Sequence, residues 1–293
     1  MAVPRHLSRA VPRRLTTPFA ACRGYATSGK PAISPADLPP MPKRSLPKGI
    51  TLPRDAYAGL AKSKLAQQYQ KLSATESAYA QCKTAADYKV PIEKRRKEEV
   101  EMTAEGEEIG ESLGPWHEAF GLLPTFSTWS QVTMLHMYLL FARLRCLDKE
   151  EARSWQHQLS DHFFFDCERV MDVNHGLTSA AMRQRYLKDI FVQWRGIIMA
   201  YDEGLVRGDA VLAAAVWRNL FKAREDVDVR HVAAIVAWIR ATMKELERRS
   251  DEEVLIGGAL FKKSPMEEYA LVDRPSAMLT EKTAAEKEVE SKA

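Results

Sequence analysis

The clearest hydrophobic pattern in the chain runs from Met182 to Leu205, where apolar residues recur at helical spacing. At about 100° per residue they all fall within half a turn, so the segment is predicted to be an amphipathic helix. A narrower stripe follows Asp226 and Asp228, either of which could cap its helix. The first stripe contains Met182, Tyr186, Leu187, Ile190, Trp194, Ile197, Ile198, Tyr201 and Leu205, and the second Val232, Ile235, Val236, Ile239, Met243 and Leu246, with Trp238 outside it.

The stretch from Ala119 to Ala142 contains no Asp, Glu, Lys or Arg. Its pattern predicts a loop through Pro124, a cap at Ser127 or Thr128, and a helix to about Cys146. A helix that is apolar on most sides is buried at the centre of a bundle. A peripheral or membrane-spanning scaffold is the alternative, although polar, Gly and Pro positions such as Gly121, Pro124 and His136 interrupt the roughly 20 residues that a span requires. His136, in the middle of this helix, is interpreted as a core histidine.

A further helix is predicted after Asp148, with Trp155, Leu159, Phe163 and Val170 on one face. Phe164 and Phe165 turn away from this stripe. Either another helix covers Phe165, or Phe165 belongs to a surface that binds a partner.

The corner after the Met182–Leu205 helix combines a helix end with the start of another helix. Gly208 can adopt the backbone conformation that ends a helix, and Asp209 is predicted to cap the next one. An ion pair between Asp202 and Arg218 is expected to hold the corner. The alternative is a catalytic pair formed by Tyr201 and Asp202, but no second carboxylate or nucleophile accompanies them.

Together these patterns predict an all-α fold, a single multi-helix bundle domain, and no β-strand. Two helices, at 57–72 and 76–88, are expected before a charged, exposed insert at 89–114. The predicted organisation is a disordered transit peptide (1–25), a Pro-rich basic linker (26–56), N-terminal helices with the insert (57–115), the helical domain (116–260) and a polar tail (261–293).

The first 36 residues contain no Asp or Glu but five Arg, a composition typical of a mitochondrial transit peptide. Arg23-Gly24-Tyr25 matches a common matrix processing pattern. Removing residues 1–25 changes the net charge from +4 to −1, so the basic pI is no argument for nucleic-acid binding, and direct DNA binding is not expected. Residues 26–72 carry a net charge of +6. This basic segment could contact ribosomal RNA or anionic lipid, or it could be only a solvated linker.

Few residues suggest a reaction. His157, Asp161, His162 and Asp166 share one predicted helix and could bind a metal, but His162 and Asp166 are four apart and could simply hydrogen-bond each other. Paired Glu-x-x-His motifs, phosphate-binding glycine loops and nucleophile elbows are missing from the sequence. The cysteines show no C-x-x-C spacing. The sequence therefore favours a binding protein without cofactor, metal or catalytic residues.

Several spaced motifs resemble the ubiquinol–cytochrome c reductase chaperone family, over roughly Trp116 to Lys244. They are Thr125-Phe126-x-x-Trp129-x-x-Val132-Thr133-x-Leu135-His136 with Leu144-Arg145; Asp161-His162-Phe163 with Asp166; Ala200-Tyr201-Asp202-Glu203-Gly204-Leu205; and Asp209 with Leu212-Ala213-Ala214-Ala215-x-Trp217-Arg218-Asn219-Leu220-Phe221. Tyr79-x-x-Cys82 is a candidate upstream edge. The fungal members are the most similar type.

The resemblance implies an assembly factor for respiratory complex III on the matrix side of the mitochondrial inner membrane, in peripheral contact with it. It implies binding to newly made cytochrome b, to a small partner protein and near the mitochondrial ribosome, with support of cytochrome b synthesis. No catalytic residues come with the family. Candidate partner- or client-binding residues are Trp129, Met134, His136, Met137, His162, Phe163, Phe164, Phe165, Asp166, Tyr201, Asp202, Asp209, Trp217, Arg218 and Trp238. The alternative is a helical enzyme that acts on a quinone or isoprenoid with Tyr201, Asp202 and His162.

Overall fold

The computed structural model describes residues 64–274, so the predicted transit peptide, the Pro-rich linker and the end of the polar tail lie outside the described residues. Helices dominate this range, which confirms the all-α prediction. The helices are α1 (Lys64–Lys83), α2 (Ile92–Arg96), α3 (Trp116–Phe120), α4 (Phe126–Leu144), α5 (Lys149–Val173), α6 (Ala180–Arg207), α7 (Asp209–Leu220), α8 (Val229–Arg248), α9 (Asp251–Leu255) and α10 (Tyr269–Val272), with a 3-10 helix at Pro265–Glu268.

Helix α4 lies at the centre of the bundle and contacts α1, α5, α6, α7 and α8. Every residue from Val132 to Phe141 is buried, as expected for a helix without charge in its middle. The predicted cap at Ser127 or Thr128 is wrong, because Thr125 is the capping residue and its side chain accepts a hydrogen bond from the Thr128 N–H. Thr125 has the extended backbone that is typical of a capping residue, and the helix begins directly after it.

Helix α5 begins after Asp148, whose side chain accepts a hydrogen bond from the Glu150 N–H. Its predicted apolar face is confirmed, since Trp155, Leu159, Phe163 and Val170 are all buried. Phe165 points away from this face and is exposed, as the helical spacing indicates.

The corner between α6 and α7 is shorter than predicted. Gly208, with a φ of +111°, is the residue that ends α6 and also the one that precedes α7. Asp209 is therefore the first residue of α7, and the prediction that it caps the helix is wrong. The two helices approach closely at Gly204, where an added Cβ would lie 2.7 Å from the Cα of Leu212.

Helix α8 begins directly after Asp228, whose side chain accepts a hydrogen bond from the Arg230 N–H, so one of the two predicted caps is confirmed. Of its predicted stripe, Val232, Ile235, Val236, Ile239 and Leu246 are buried, and Met243 is half-buried. Trp238 is also buried although it lies off the stripe, because Trp116 and Phe261 pack against its ring.

The region before α3 differs from the prediction in two ways. One continuous helix, α1, replaces the two predicted helices and packs against α4 and α5. Two short antiparallel strands, β1 (Tyr88–Lys89) and β2 (Glu111–Ser112), pair within the charged insert, where no strand was predicted. Local pattern could not show them because each strand has only two residues.

The charged insert is attached to the bundle by an ion cluster. Arg95 donates to Glu108 at 2.6 Å, and His175 Nδ1 donates to the same carboxylate at 2.7 Å. Burial alone would raise the pKa of Glu108, but the hydrogen bonds and charges of His175 and Arg95 outweigh it and lower that pKa. The insert is thus partly exposed, as predicted, but it is fixed to the start of the α5–α6 connection.

Candidate functional site

One cluster of polar candidate residues joins α1 to α5 around a buried carboxylate. Tyr79 Oη and Lys83 Nζ donate to Asp166 Oδ2 at 3.0 and 3.1 Å, and Arg169 Nε donates to Oδ1 at 2.6 Å. Burial, followed by the negative charge of Asp166, raises the pKa of Tyr79, so its hydroxyl stays protonated and remains a donor. Asp166 is thus satisfied by three partners and has a clear role in holding α1 on the bundle.

His162 also faces α1. Its Nε2 lies 3.1 Å from the Thr75 hydroxyl, and its ring stacks on Tyr79 with centroids 6.0 Å apart. Burial lowers the pKa of His162, which favours the neutral ring. The expected bond between His162 and Asp166 is replaced by these separate contacts to α1.

The four residues proposed as metal ligands do not converge. His157 and Asp161 pair with each other at 2.8 Å on the exposed side of α5, away from the α1-facing pair. Among residues 64–274, no group of three or more His, Cys, Asp or Glu side chains is arranged to hold a metal ion.

Asp202 is held by α4 instead of α7, so the predicted ion pair with Arg218 is wrong. Tyr138 Oη donates to Asp202 Oδ1 at 2.9 Å, and Arg145 donates to the same oxygen at 2.7 Å. Arg218 is exposed on α7. The sequence could not show this choice of cation, because Arg145 lies 57 residues away and reaches Asp202 only through the crossing of α4 and α6.

Tyr201 is completely buried, and its hydroxyl has no hydrogen-bond partner in the described region. Its ring packs on Tyr138 with centroids 5.2 Å apart, and burial raises the pKa of the phenol. The residues of the alternative enzyme hypothesis are therefore not brought together: Tyr201 lies in the core, Asp202 at its edge, and His162 against α1.

Sequence reasoning missed the residue that holds the α6–α7 corner, which is Arg240 of α8. Its guanidinium donates to Asp209 Oδ1 at 2.9 Å and to the Leu205 and Gly204 carbonyls at 3.1 and 3.4 Å. Both carbonyls belong to the last turn of α6. The Gly204 carbonyl also accepts from the Gly208 N–H at 3.1 Å, whereas the Leu205 carbonyl lies where the helix supplies no further backbone donor. Arg240 shows no local signal in the sequence, because its partners are more than 30 residues away.

The aromatic candidates Trp129 and Phe163 are buried, as are Met134 and Met137. Trp238 is buried too, and its indole N–H donates to the Lys263 carbonyl at 2.9 Å. Trp217 is half-buried and donates to the Arg224 carbonyl at 2.7 Å. In this conformation these side chains build the core and offer a partner little surface.

His136 lies inside an aromatic cluster. The ring centroids of Trp116, Trp238 and Phe261 are 5.1, 4.9 and 4.8 Å from its own. Because the Val132 carbonyl can only accept, His136 Nδ1 donates to it, at 2.8 Å. Complete burial lowers the pKa of His136 to about 4, so the ring is neutral and the interpretation as a core histidine holds.

The accessible apolar candidates are consecutive on α5, and one of them contacts α6. Phe165 is 71% exposed, and Phe164 is half-buried, with its ring 6.0 Å from that of Phe191 on α6. Phe191 is itself 49% exposed. We call Phe164, Phe165 and Phe191 the phenylalanine patch. Large exposed aromatic residues of this kind mark interaction surfaces.

A cavity of about 190 Å³ lies beside the end of α7. Leu122, Leu123, Leu220 and Phe221 form its apolar wall, and Lys222 stands at its rim, paired with Glu105 at 2.9 Å and with buried Glu107 at 3.0 Å. Its volume suits one apolar side chain.

No described helix is both long enough and apolar enough to cross a bilayer.

Residues 118–261 match the family model described as ubiquinol-cytochrome C chaperone. This segment of the chain belongs to that chaperone family. Protein CBP3, mitochondrial, of Saccharomyces cerevisiae is 36% identical over 184 residues, which cover 63% of this chain and 55% of that protein. The human ubiquinol-cytochrome c reductase complex assembly factor 1 is 30% identical over 140 residues, 46% of this chain and 44% of that protein.

The chain spans about half the length of the curated relatives it matches. A crystal structure of the Cbp3 homolog from Brucella abortus aligns with 66% of this chain and 91% of that chain, with a TM-score of 0.49 and 17% identity.

The chaperone-family segment contains all of the candidate residues on α4 to α8, including the phenylalanine patch. Helix α1 precedes it, so Tyr79 and Lys83 reach Asp166 from outside the matched segment. The cluster around Asp166 therefore joins the family domain to a helix that the family model does not include.

Proposed function

We propose that this protein is an assembly chaperone for respiratory complex III that binds newly synthesised cytochrome b. It acts together with a small partner protein, near the mitochondrial ribosome, and supports cytochrome b synthesis. The match to the chaperone family supports the general role, and the names of the yeast and human relatives support the mitochondrion and complex III. The protein works on the matrix side of the inner membrane and touches that membrane peripherally.

The observation that carries this proposal is the phenylalanine patch. A membrane-protein client presents apolar segments before assembly, and a chaperone must cover them with accessible apolar side chains. Phe165 is exposed without a packing role, while neighbouring α5 residues such as Phe163 are buried in the core. A substitution at Phe165 can therefore change binding while the bundle stays intact.

The proposed role is binding and not catalysis. The polar residues that a catalytic hypothesis requires are held in ion pairs or buried. Asp202 pairs with Arg145, Asp166 pairs with Lys83 and Arg169, and Tyr201 lies inside the core. A reaction would need these groups to meet around one accessible space, and they are separated instead.

The test is site-specific photocrosslinking during synthesis of mitochondrial proteins. A photoreactive amino acid at Phe165 is expected to crosslink to radiolabelled, newly made cytochrome b, and Phe165→Glu is expected to reduce its co-purification about tenfold, as for the loss of a central apolar contact. Val229→Glu is the matched control, because Val229 is 77% exposed at the start of α8 and removed from the patch.

Mass spectrometry of the gently solubilised complex identifies the remaining partners. Recovery of cytochrome b, a small matrix protein and ribosomal subunits supports the proposal. The assignment is wrong if no complex III subunit or precursor is recovered with the wild-type protein.

A further inference from the structure

Helix α6 has a second, outward face with an unusual composition. Seen at about 100° per residue, six basic or large apolar side chains share roughly a quarter of a turn with Ala181 and Glu203, opposite the buried face that contains Trp194 and Tyr201. We call these six the outer face of α6: Arg185, Lys188, Val192, Arg195, Met199 and Val206.

The apolar members of this face are strongly exposed. Val192 is 69%, Met199 72% and Val206 87% accessible to solvent. Single exposed apolar residues are ordinary, but here three lie in one line along about 20 Å of helix, each on the same side. No described element packs against them.

The cationic members of this face lack ion partners in the described region. Arg185, Lys188 and Arg195 are exposed, and none of them is within ion-pair distance of a described carboxylate, whereas most other arginines of the bundle are paired. The acidic Glu203 lies in the same sector but is paired with Arg207 at 3.0 Å, and Asp189 lies at the flank. The face thus carries net positive charge.

We infer that the outer face of α6 lies on an anionic lipid surface. This inference rests on the membrane contact in the proposed function and assigns that contact to helix α6. Val192, Met199 and Val206 enter the boundary between headgroups and acyl chains, while Arg185, Lys188 and Arg195 contact lipid phosphates. Helices that bind at a membrane interface combine basic and bulky apolar side chains in this way.

The shape and chemistry of the face favour a lipid surface over a macromolecular ligand. The face is the convex side of a single helix and therefore offers no groove for a peptide. The apolar cavity described above is lined by other elements. Single-stranded nucleic acids are held by basic residues with stacking aromatic rings, and the apolar residues here are aliphatic.

The first experiment is flotation of the purified full chain with vesicles. We expect binding to phosphatidylcholine vesicles that contain about one third phosphatidylglycerol, little binding to pure phosphatidylcholine, and a decrease with added salt. Lys188→Glu/Arg195→Glu is expected to reduce the bound fraction at least about tenfold, because each basic residue near such a surface contributes substantially.

Lys244→Glu/Arg248→Glu is the matched control, since it makes the same change in charge at exposed, unpaired positions on α8. An equal loss in both double variants would show a non-specific charge effect, for instance one involving the basic segment before α1. That outcome overturns the inference, as does equal binding to neutral vesicles or no binding by the wild-type chain.

A local probe tests insertion directly. In a Cys22→Ser/Cys146→Ser background, a polarity-sensitive dye on Met199→Cys is expected to shift to the blue on anionic vesicles, and one on Lys244→Cys is not. Cys82 and Cys167 are fully buried and do not interfere. These experiments contain no client, so their failure leaves the crosslink from Phe165 to cytochrome b as a separate result. If Lys188 and Arg195 instead prove necessary for capture of an acidic protein, the lipid assignment is wrong.

Discussion

Two buried tyrosines of the same aromatic pair are expected to respond differently to the loss of their hydroxyl groups. Tyr138 Oη donates to Asp202, whereas Tyr201 Oη is buried without a partner. Removing a satisfied hydroxyl costs about 1 kcal/mol, but removing an unsatisfied one relieves a desolvation penalty. Tyr138→Phe should therefore lower the free energy of unfolding by about 1 kcal/mol, and Tyr201→Phe should leave it unchanged or raise it, as measured by urea denaturation.

The same pair of variants separates structure from catalysis at the Tyr201-Asp202 motif. A stable Tyr201→Phe protein that still captures cytochrome b is the expected outcome. Loss of function in a variant of undiminished stability would revive the enzyme hypothesis for this residue.

His136 is expected to make the fold sensitive to acid. Its burial lowers the folded-state pKa to about 4, below the usual 6.5, so the unfolded chain binds a proton that the folded protein does not. Stability is therefore fully present above about pH 6.5 and falls as the pH decreases toward 4, by about 2–3 kcal/mol over this window.

Urea denaturation at pH 7 and pH 5 tests this prediction. His136→Gln should lose stability at pH 7 but show a shallower decline toward pH 5 than the wild type. Trp116→Phe is the control, because it loosens the same aromatic cluster without removing a titrating group. Equal pH slopes in the wild type and His136→Gln would contradict the assignment.

At the level of the elements, two glycines of α6 provide a test of the α6–α7 packing. A Cβ at Gly204 would lie 2.7 Å from the Leu212 Cα, and backbone cannot move aside easily; a Cβ at Gly196 meets no atom within 4 Å. Gly204→Ala should destabilise by about 1–3 kcal/mol through overpacking. Gly196→Ala should stabilise by about 0.5–1 kcal/mol because alanine favours the helix.

Thermal denaturation followed by circular dichroism measures both variants. The packing argument is refuted if Gly204→Ala melts at or above the wild-type temperature.

The elements also show what sequence can and cannot predict. The long apolar stripes of α5, α6 and α8 and the uncharged middle of α4 could be predicted because burial repeats at helical spacing. The partners of the polar residues could not be predicted. Asp202 pairs with Arg145 and Asp209 pairs with Arg240 across helix crossings, which no local sequence pattern indicates. Trp238 fell off its predicted stripe yet is buried, because short elements before α4 and after α9 cover it.

At the scale of the whole molecule, the bundle extends beyond the segment that the family model matches. Ala78, Tyr79 and Cys82 of α1 are buried in the same core as α4 and α5, although α1 ends 35 residues before residue 118. Helix α1 is therefore part of the domain in physical terms. This packing calls into question the start of the helical domain at residue 116 that was expected from the sequence.

Two truncated chains test this boundary. A chain of residues 64–274 should unfold cooperatively, whereas one of residues 116–274 should expose the α1-facing sides of α4 and α5, leave Asp166 without Tyr79 and Lys83, and bind a hydrophobic dye. Asp166→Ala in the longer chain should weaken the attachment of α1 by about 2 kcal/mol, since a buried charged hydrogen-bond network is broken. Asp161→Ala, which removes only an exposed ion pair, should change stability by less than about 0.5 kcal/mol.

Hydrogen exchange locates the effect of Asp166→Ala within the molecule. Faster exchange confined to α1, with α6 and α8 still protected, is expected if α1 is an attached but integral helix, because regions with fewer buried contacts open locally before the whole domain unfolds. A cooperative, protected 116–274 chain would show instead that the family segment alone is the folding unit, and that α1 only covers it. In that case the surface beneath α1, around His162 and Asp166, would join the phenylalanine patch as a place where a client can bind.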